Sequence, residues 1–277
     1  MRSARSQMTT PPELKTLQIE VEDGIGTLTL NRPDAFNAMS PELIEELMTA
    51  TAWFADRSSI RALIVTGAGA AFCAGGDINW FRKGMEEEGF DISADVRRGA
   101  EALHSGIVNL RRIEVPVIAA VNGPAAGAGL SLALACDLRI AAEGAFLAPA
   151  YGRIGASPDG GMTYFLPRVV GPAKALELLL EDPNLPAAAA QEIGLVTEVV
   201  PGDELLDRAR ERAAKLARLP AHYVKMAKRL VASSLDNGLA DHLQLERHGI
   251  ADSMATADAR AGIAAFFAGE KPEFNGG

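Results

Sequence analysis

The chain has 277 residues, which suits one large domain or one domain with a small appendage. Hydrophobic residues make up 48% and charged residues 23%, so the sequence supplies both a core and a solvated surface. A net charge of -9 argues against a nucleic-acid or anionic-membrane binder, because either partner is repelled, but it leaves room for a local basic pocket that takes one phosphorylated ligand.

Residues 1–12 are polar, with Arg2 and Arg5 but no apolar stretch behind them, and read as a disordered tail rather than a secretory signal. Residues 14–21 and 25–30 alternate apolar and polar around Asp23-Gly24, the pattern of a β-hairpin. Ser40 as N-cap, Pro41 at the first helical position, and Leu43, Leu47 and Ala50 on one face predict a helix over 41–57. A short strand follows at 62–65, closed by Thr66-Gly67. A helix at 93–113 carries Ala100, Leu103, Ile107 and Leu110 on one face, and a buried strand at 117–121 is ended by Asn122-Gly123-Pro124. A helix near 127–135 and strands near 137–141 and 145–148 complete an α/β core with parallel pairing. From residue 203 the composition changes, and 203–217, 221–235, 239–252 and 256–268 all read as helices, with Gly238 and Gly269 as stops. The expected organisation is a tail at 1–12, an α/β core at 13–202 and a helical module at 203–277.

No apolar run reaches membrane-spanning length; the richest, around 115–136, is broken by Pro and Gly. Cys73 and Cys136 read as reduced thiols of a cytoplasmic protein. His104, His222, His242 and His248 form no ligand cluster, so no metal is expected.

Two glycine-rich segments each follow a strand: GAGAAFCAGGDI (67–78) and NGPAAGAGLSLALACD (122–137). Such junctions present free N–H groups and a helix dipole to an anion. Neither completes GxGxxG, no GxxxxGK[ST] occurs, and the GASPDG stretch at 155–160 does not match G-x-S-x-G, so nucleotide and serine-hydrolase readings are weak. Two helix entries without a nucleotide fingerprint leave two readings open. Their N–H groups converge on one oxygen that becomes negative during reaction, or they are ordinary tight packing of Gly and Ala.

Longer stretches narrow the choice. NRPDAFNAMS (31–40), ALIVTGAGAAFCAGGDI (62–78), PVIAAVNGPAAGAGLSLALACDLRIAA (116–142) and IGASPDGGMTYFLPRVVG (154–171) resemble the main signatures of the enoyl-CoA hydratase/isomerase (crotonase) superfamily. IGLVTEVVP (193–201) and RAGIAAFFAGEKPEF (260–274) resemble its later segments. The resemblance implies a spiral of ββα turns followed by helices that build trimers, often paired into hexamers. It implies an acyl-CoA thioester as ligand, with coenzyme A entering as part of the substrate and no permanently bound cofactor. It places the oxyanion donors at the backbone N–H of Gly76 and Ala128. Phe36, Ala38, Ala74, Asp77 and Ile78, with Gly75, fall where the family cradles coenzyme A; Pro124, Ala126 and Gly127 fall along the acyl pocket.

The departures from the pattern bear on the chemistry. A typical hydratase adds water with two glutamates; the matching positions here are Ser131 and Tyr151, neither a carboxylate, and both are assigned to substrate contact. Asp159, in SPDGG ahead of a helix near Gly160, resembles the aspartate of some isomerases of the family, and also the nucleophile of its dehalogenase branch. His104 falls where that branch has a histidine, but Gly76 stands where the branch has a bulky aromatic. Each residue has a plainer reading: Asp159 as a helix cap, Ser131 as a small helix residue, Tyr151 as core, His104 as a packed histidine, Asp137 as a structural carboxylate. The reading adopted is an enoyl-CoA double-bond isomerase working by a 1,3-proton shift with Asp159 as acid/base. The alternatives are a hydratase with atypical acid/base residues, C–X or thioester hydrolysis, and a coenzyme A thioester binder with little catalysis.

Overall fold

The computed structural model describes residues 10–274 apart from Glu88 and Phe90. Most of the expected N-terminal tail, residues 1–9, therefore lies outside the described residues; Thr10 is held at its carbonyl by the indole N–H of Trp53 at 3.1 Å.

Strands β1 (Leu17–Glu22) and β2 (Ile25–Leu30) form the expected hairpin, turned by Asp23 and Gly24 with φ of 49° and 76°. A 3₁₀ turn at Pro33–Ala35 leads to helix α1 (Pro41–Ala55), capped by the Ser40 side chain, which accepts from the Leu43 N–H. β3 (Ala62–Gly67) is followed by α2 (Ile78–Glu86), a helix absent from the sequence expectations, and by α3 (Ile92–Arg112). Then come β4 (Val117–Val121), the two-residue β5 (Ala125–Ala126), α4 (Ala128–Ala135), β6 (Leu138–Ala142) and β7 (Phe146–Ala148). The last part of the core holds α5 (Met162–Val170), α6 (Pro172–Glu181), β8 (Leu185–Pro186), α7 (Ala187–Glu192) and β9 (Glu198–Val200). Helices α8 (Leu205–Ala217), α9 (Ala221–Ser233), α10 (Leu239–Met254) and α11 (Ala257–Ala268) follow without an intervening strand, as expected.

Among the described residues one sheet runs in the order β1-β2-β3-β4-β6-β9, with every pair after the hairpin parallel; a smaller sheet runs β5-β7-β8. Parallel strands are covered on both faces, and β3 and β4 accordingly carry no exposed residue. α8 packs over β3 and β4, with Leu205, Ala209 and Ala213 in the common core, so the helical stretch begins as a layer of the sheet's own packing. α9 is tied down by charge: Lys228 pairs with Asp137 at 2.6 Å, and Asp137 also takes Arg111 at 3.0 Å and the Val117 N–H at 2.9 Å. Burial holds the Lys228 ammonium below its ordinary pKa, with Asp137 opposing that shift. Asp137 is thus the structural carboxylate the plainer reading describes. No described helix is long and apolar enough to cross a membrane.

Candidate active site

The first motif is explained by what it ties together. Asn37, fully buried with φ of 56°, accepts from the Arg32 N–H and donates to the carbonyls of Ala68 and Ala71 at 2.9 and 2.7 Å. The Arg32 guanidinium reaches the Ala38 carbonyl and pairs with Asp77 at 3.0 Å. Asp77 in turn caps α2 by accepting from the N–H groups of Asn79 and Trp80. The Asp77 side chain is buried and committed to Arg32 and the helix cap, so only its backbone is left to meet a ligand.

These contacts hold segment 73–77 between two others. The Gly75 carbonyl accepts from Met39 and the Met39 carbonyl from Asp77, a one-residue parallel bridge centred on Gly76. Cys73 donates to Pro124 and accepts from Ala126, a second bridge centred on Ala125. In a parallel bridge the flanking residues of one segment make both bonds, so the N–H of Gly76 stays off the ladder. Ala128, at the first position of α4, has no carbonyl one turn back to bond. Neither N–H has a backbone acceptor among the described residues. Gly75, at φ 97°, and Gly127, at φ 52°, bring the two segments into contact: a Cβ on Gly75 would lie 2.9 Å from the Ala126 carbonyl oxygen and 3.5 Å from Gly127 Cα. The two free donors sit one residue beyond that contact.

Both donors line a cavity of about 850 Å³. Of the residues expected to meet the ligand, Ala74, Gly75, Gly76, Ile78, Gly127, Ala128, Tyr151 and Asp159 are in its wall. Phe36, at 58% exposure, and Ala38, Pro124 and Ala126 lie outside that wall. Ser131 has no exposed surface here, and its hydroxyl is turned to the Asp159 carbonyl. Residues missed in the sequence complete the cavity, chiefly Trp80 and Phe81 of α2 and Val96 and Leu103 of α3.

The carboxylate of Asp159 stands at this cavity on the turn before α5. It does not cap that helix: the cap position is Gly161, φ 82°, and no side chain bonds there. The Asp159 backbone is clamped instead. Its carbonyl accepts from the Ser131 hydroxyl at 2.8 Å and the Tyr151 hydroxyl at 2.9 Å, and those hydroxyls are 3.1 Å apart. Gly160, φ 62°, passes so close to Ser131 that a Cβ would be 3.0 Å from the serine Cβ. Burial pushes the Tyr151 phenol up to about 12, and the neighbouring Asp159 charge adds to the shift. Tyr151 is therefore a neutral hydrogen-bond donor at physiological pH and not a base. His104 is not packed in the core; its side chain is 52% exposed and its Nε2 lies 2.6 Å from Asp159 Oδ1.

Two unpaired N–H groups from adjacent backbone segments, in a wall that also carries the carboxylates of Asp159, Glu45 and Asp95, suit a carbonyl compound that becomes an enolate. A family described as Enoyl-CoA hydratase/isomerase matches residues 20–277. The chain belongs to the enoyl-CoA hydratase/isomerase family. A 1,2-epoxyphenylacetyl-CoA isomerase of Escherichia coli is 38% identical over 92% of this chain and 97% of its own. A probable enoyl-CoA hydratase of Rhodobacter capsulatus is 37% identical over 94% and 98%. A crystal structure of an enoyl-CoA hydratase from Bacillus anthracis superposes with a TM-score of 0.87 at 34% identity, covering 95% of this chain and all of that one. The fold is the α/β crotonase fold, and this family member is an enzyme that acts on acyl-CoA.

Proposed function

We propose that the enzyme is an enoyl-CoA double-bond isomerase in which Asp159 moves one proton between two carbons of the acyl chain. The observation that carries the reading is the Asp159 carboxylate in the wall that also holds Gly76 and Ala128, free of any capping duty. The C–H bond next to the thioester carbonyl breaks, its proton goes to Asp159, and its electron pair moves onto the carbonyl oxygen. The N–H groups of Gly76 and Ala128 hydrogen-bond that oxygen as it gains charge, which lowers the barrier without a metal or a second base. Asp159, now a carboxylic acid, returns the proton two carbons further along, and the double bond comes into conjugation with the thioester.

Ser131 and Tyr151 occupy the positions matching the two hydratase glutamates, and both are spent on the Asp159 carbonyl. That arrangement supports a branch with one shuttling carboxylate and no water-activating pair. Ala74, Gly75, Ile78 and Gly127 form the ligand-facing backbone of this reading, and coenzyme A arrives as part of the substrate.

The test is Asp159→Asn, which keeps the size but cannot accept a proton. The variant is expected to bind a 3-enoyl-CoA and to lose deuterium wash-in from heavy water at the carbon beside the carbonyl. Wash-in at the parent rate would remove Asp159 as the base. The second reading, hydration with Asp159 and water in place of the glutamates, has the names of the hydratase relatives in its favour. Crotonyl-CoA hydration outpacing 3-enoyl-CoA isomerisation in the same preparation would select it.

A further inference from the structure

Asp159 sits on a turn between Tyr151 and α5, so its backbone and its carboxylate are fixed by different groups. Ser131 and Tyr151 hold the carbonyl. They place the residue but leave rotation about the side-chain bonds free. Among the described residues the carboxylate itself has one side-chain partner, His104, through Oδ1. That partner comes from α3, 55 positions earlier in the chain, a long helix anchored in the core through Leu103, Ile107 and Leu110. His104 is not in the wall of the first cavity. It lines a second cavity of about 1100 Å³, beside Tyr164 and Phe165 of α5 and Val231 of α9, while Asp159 lines the first. The pair forms part of the wall between the two.

We infer that His104 is the positioning residue of Asp159: its Nε2–H holds Oδ1, so that Oδ2 is the oxygen presented to the substrate. The inference rests on the proposed role of Asp159. A carboxylate with 38% of its side chain exposed and no such bond would sample several rotamers, and only some would meet a C–H bond at proton-transfer distance. The 2.6 Å contact selects one of them without placing His104 against the reacting carbons. An N–H to carboxylate bond of this kind is worth more than a neutral one, because the acceptor is charged.

The experiment compares His104→Leu and His104→Gln with the parent and with Asp159→Asn, on 3-hexenoyl-CoA in heavy water. Gln carries an amide N–H at the Nε2 position and can reach Oδ1; Leu fills similar space and donates nothing. His104 is half-exposed, so neither change opens the core. For His104→Leu, kcat for isomerisation and deuterium wash-in should each fall about tenfold to a hundredfold, with KM within about twofold of the parent. His104→Gln should recover to within about threefold of the parent, which a residue that itself carries the proton would not allow. His104→Leu at the parent rate, with Asp159→Asn inactive, would overturn the positioning role while leaving Asp159 as the base. His104→Gln as slow as His104→Leu would overturn it too. Asp159→Asn at the parent rate would remove the base, and this inference with it.

Discussion

The spacing of the two N–H groups proposed as oxyanion donors, Gly76 and Ala128, depends on a contact that a single methyl group would break. Gly129 follows Ala128 on the first turn of α4, and a Cβ built there lies 2.2 Å from the carbonyl oxygen of Cys73 and 2.7 Å from its Cβ. Real Cβ contacts essentially never fall below 3.0 Å, and the nearest atom is backbone, so it cannot swing aside. In Gly129→Ala the segment at 73–76 and the start of α4 must part by about 0.8 Å or more. The Cys73 carbonyl also accepts from Ala126 at 2.9 Å, so the displacement strains a bridge bond as well. Overpacking of this kind destabilises a fold by about 1–3 kcal/mol. Its effect on chemistry is larger in proportion, because a misplacement of about 1 Å in a catalytic array costs on the order of a hundredfold in rate. Gly144→Ala is the matched control: that glycine lies on an exposed turn and a Cβ there meets nothing within 4 Å. Urea unfolding and turnover on a 3-enoyl-CoA would be read for both. We expect Gly129→Ala to be folded but less stable and about a hundredfold slower, and Gly144→Ala to match the parent. A folded Gly129→Ala protein with parental turnover would refute the claim that this backbone contact sets the donor spacing.

Two further outcomes follow from the same structure. Tyr151 has its pKa raised from 10.0 to about 12, so the stability it contributes is fully present below about pH 10 and lost as the pH climbs through about 12; Tyr151→Phe should cost about 1 kcal/mol at neutral pH through the lost bond to Asp159 and should flatten the alkaline unfolding profile in that window, and an unchanged profile would contradict the shift. The helices after residue 203 leave Leu239, Phe266 and Phe267 exposed by more than three-quarters, which supports the proposal that this part of the chain assembles trimers or hexamers; sedimentation as a stable monomer at micromolar concentration would count against it.

Strands β1 to β4, β6 and β7 are legible in the sequence because their signals are local; the two-residue β5 and β8 and the three-residue β9 are too short to carry one. β3 and β4 are unbroken apolar runs bounded by turn residues, and α1 announces itself through Ser40-Pro41. α2 is not legible: it is nine residues long, and its cap, Asp77, lies inside a glycine-rich run, 67–78, that reads as loop. α6 carries a usable signal in Gly171-Pro172, with Ala175 and Leu178 buried one turn apart. At the site, the glycines mark where backbone approaches backbone, but spacing alone does not tell which N–H groups are left free; the Met39–Gly76 bridge leaves that of Gly76 unpaired, and the start of α4 leaves that of Ala128. The bond between His104 and Asp159 had no local signature, since an exposed histidine on an amphipathic helix reads the same with or without a distant carboxylate. Ser131 was read as touching substrate because its position in the motif does, while its burial and its bond to the Asp159 carbonyl depend on how α4 meets the turn before α5.

That meeting makes α4 the common reference for both halves of the chemistry. Its first residue, Ala128, carries one of the two proposed oxyanion donors, and Ser131, three residues on, holds the carbonyl of Asp159, the proposed base. Within a single helical turn these two positions are rigidly spaced. On the proposed mechanism, the donor that stabilises the enolate and the anchor of the group that forms it therefore move together if α4 moves. A perturbation that shifts α4 as a body, such as Gly129→Ala, should slow proton abstraction while leaving the distance between Ala128 and Asp159 nearly intact, so its damage falls on the Gly76 side of the hole. A perturbation at His104 or Tyr151 should do the opposite, leaving both donors in place and loosening only the base. The two classes are separable by the affinity of an unreactive thioester that binds through its carbonyl oxygen. Butyryl-CoA should bind more weakly to Gly129→Ala and as tightly as the parent to His104→Leu. Equal loss in both variants would mean that the hole and the base are not mechanically independent, and that α3 also bears on the donors.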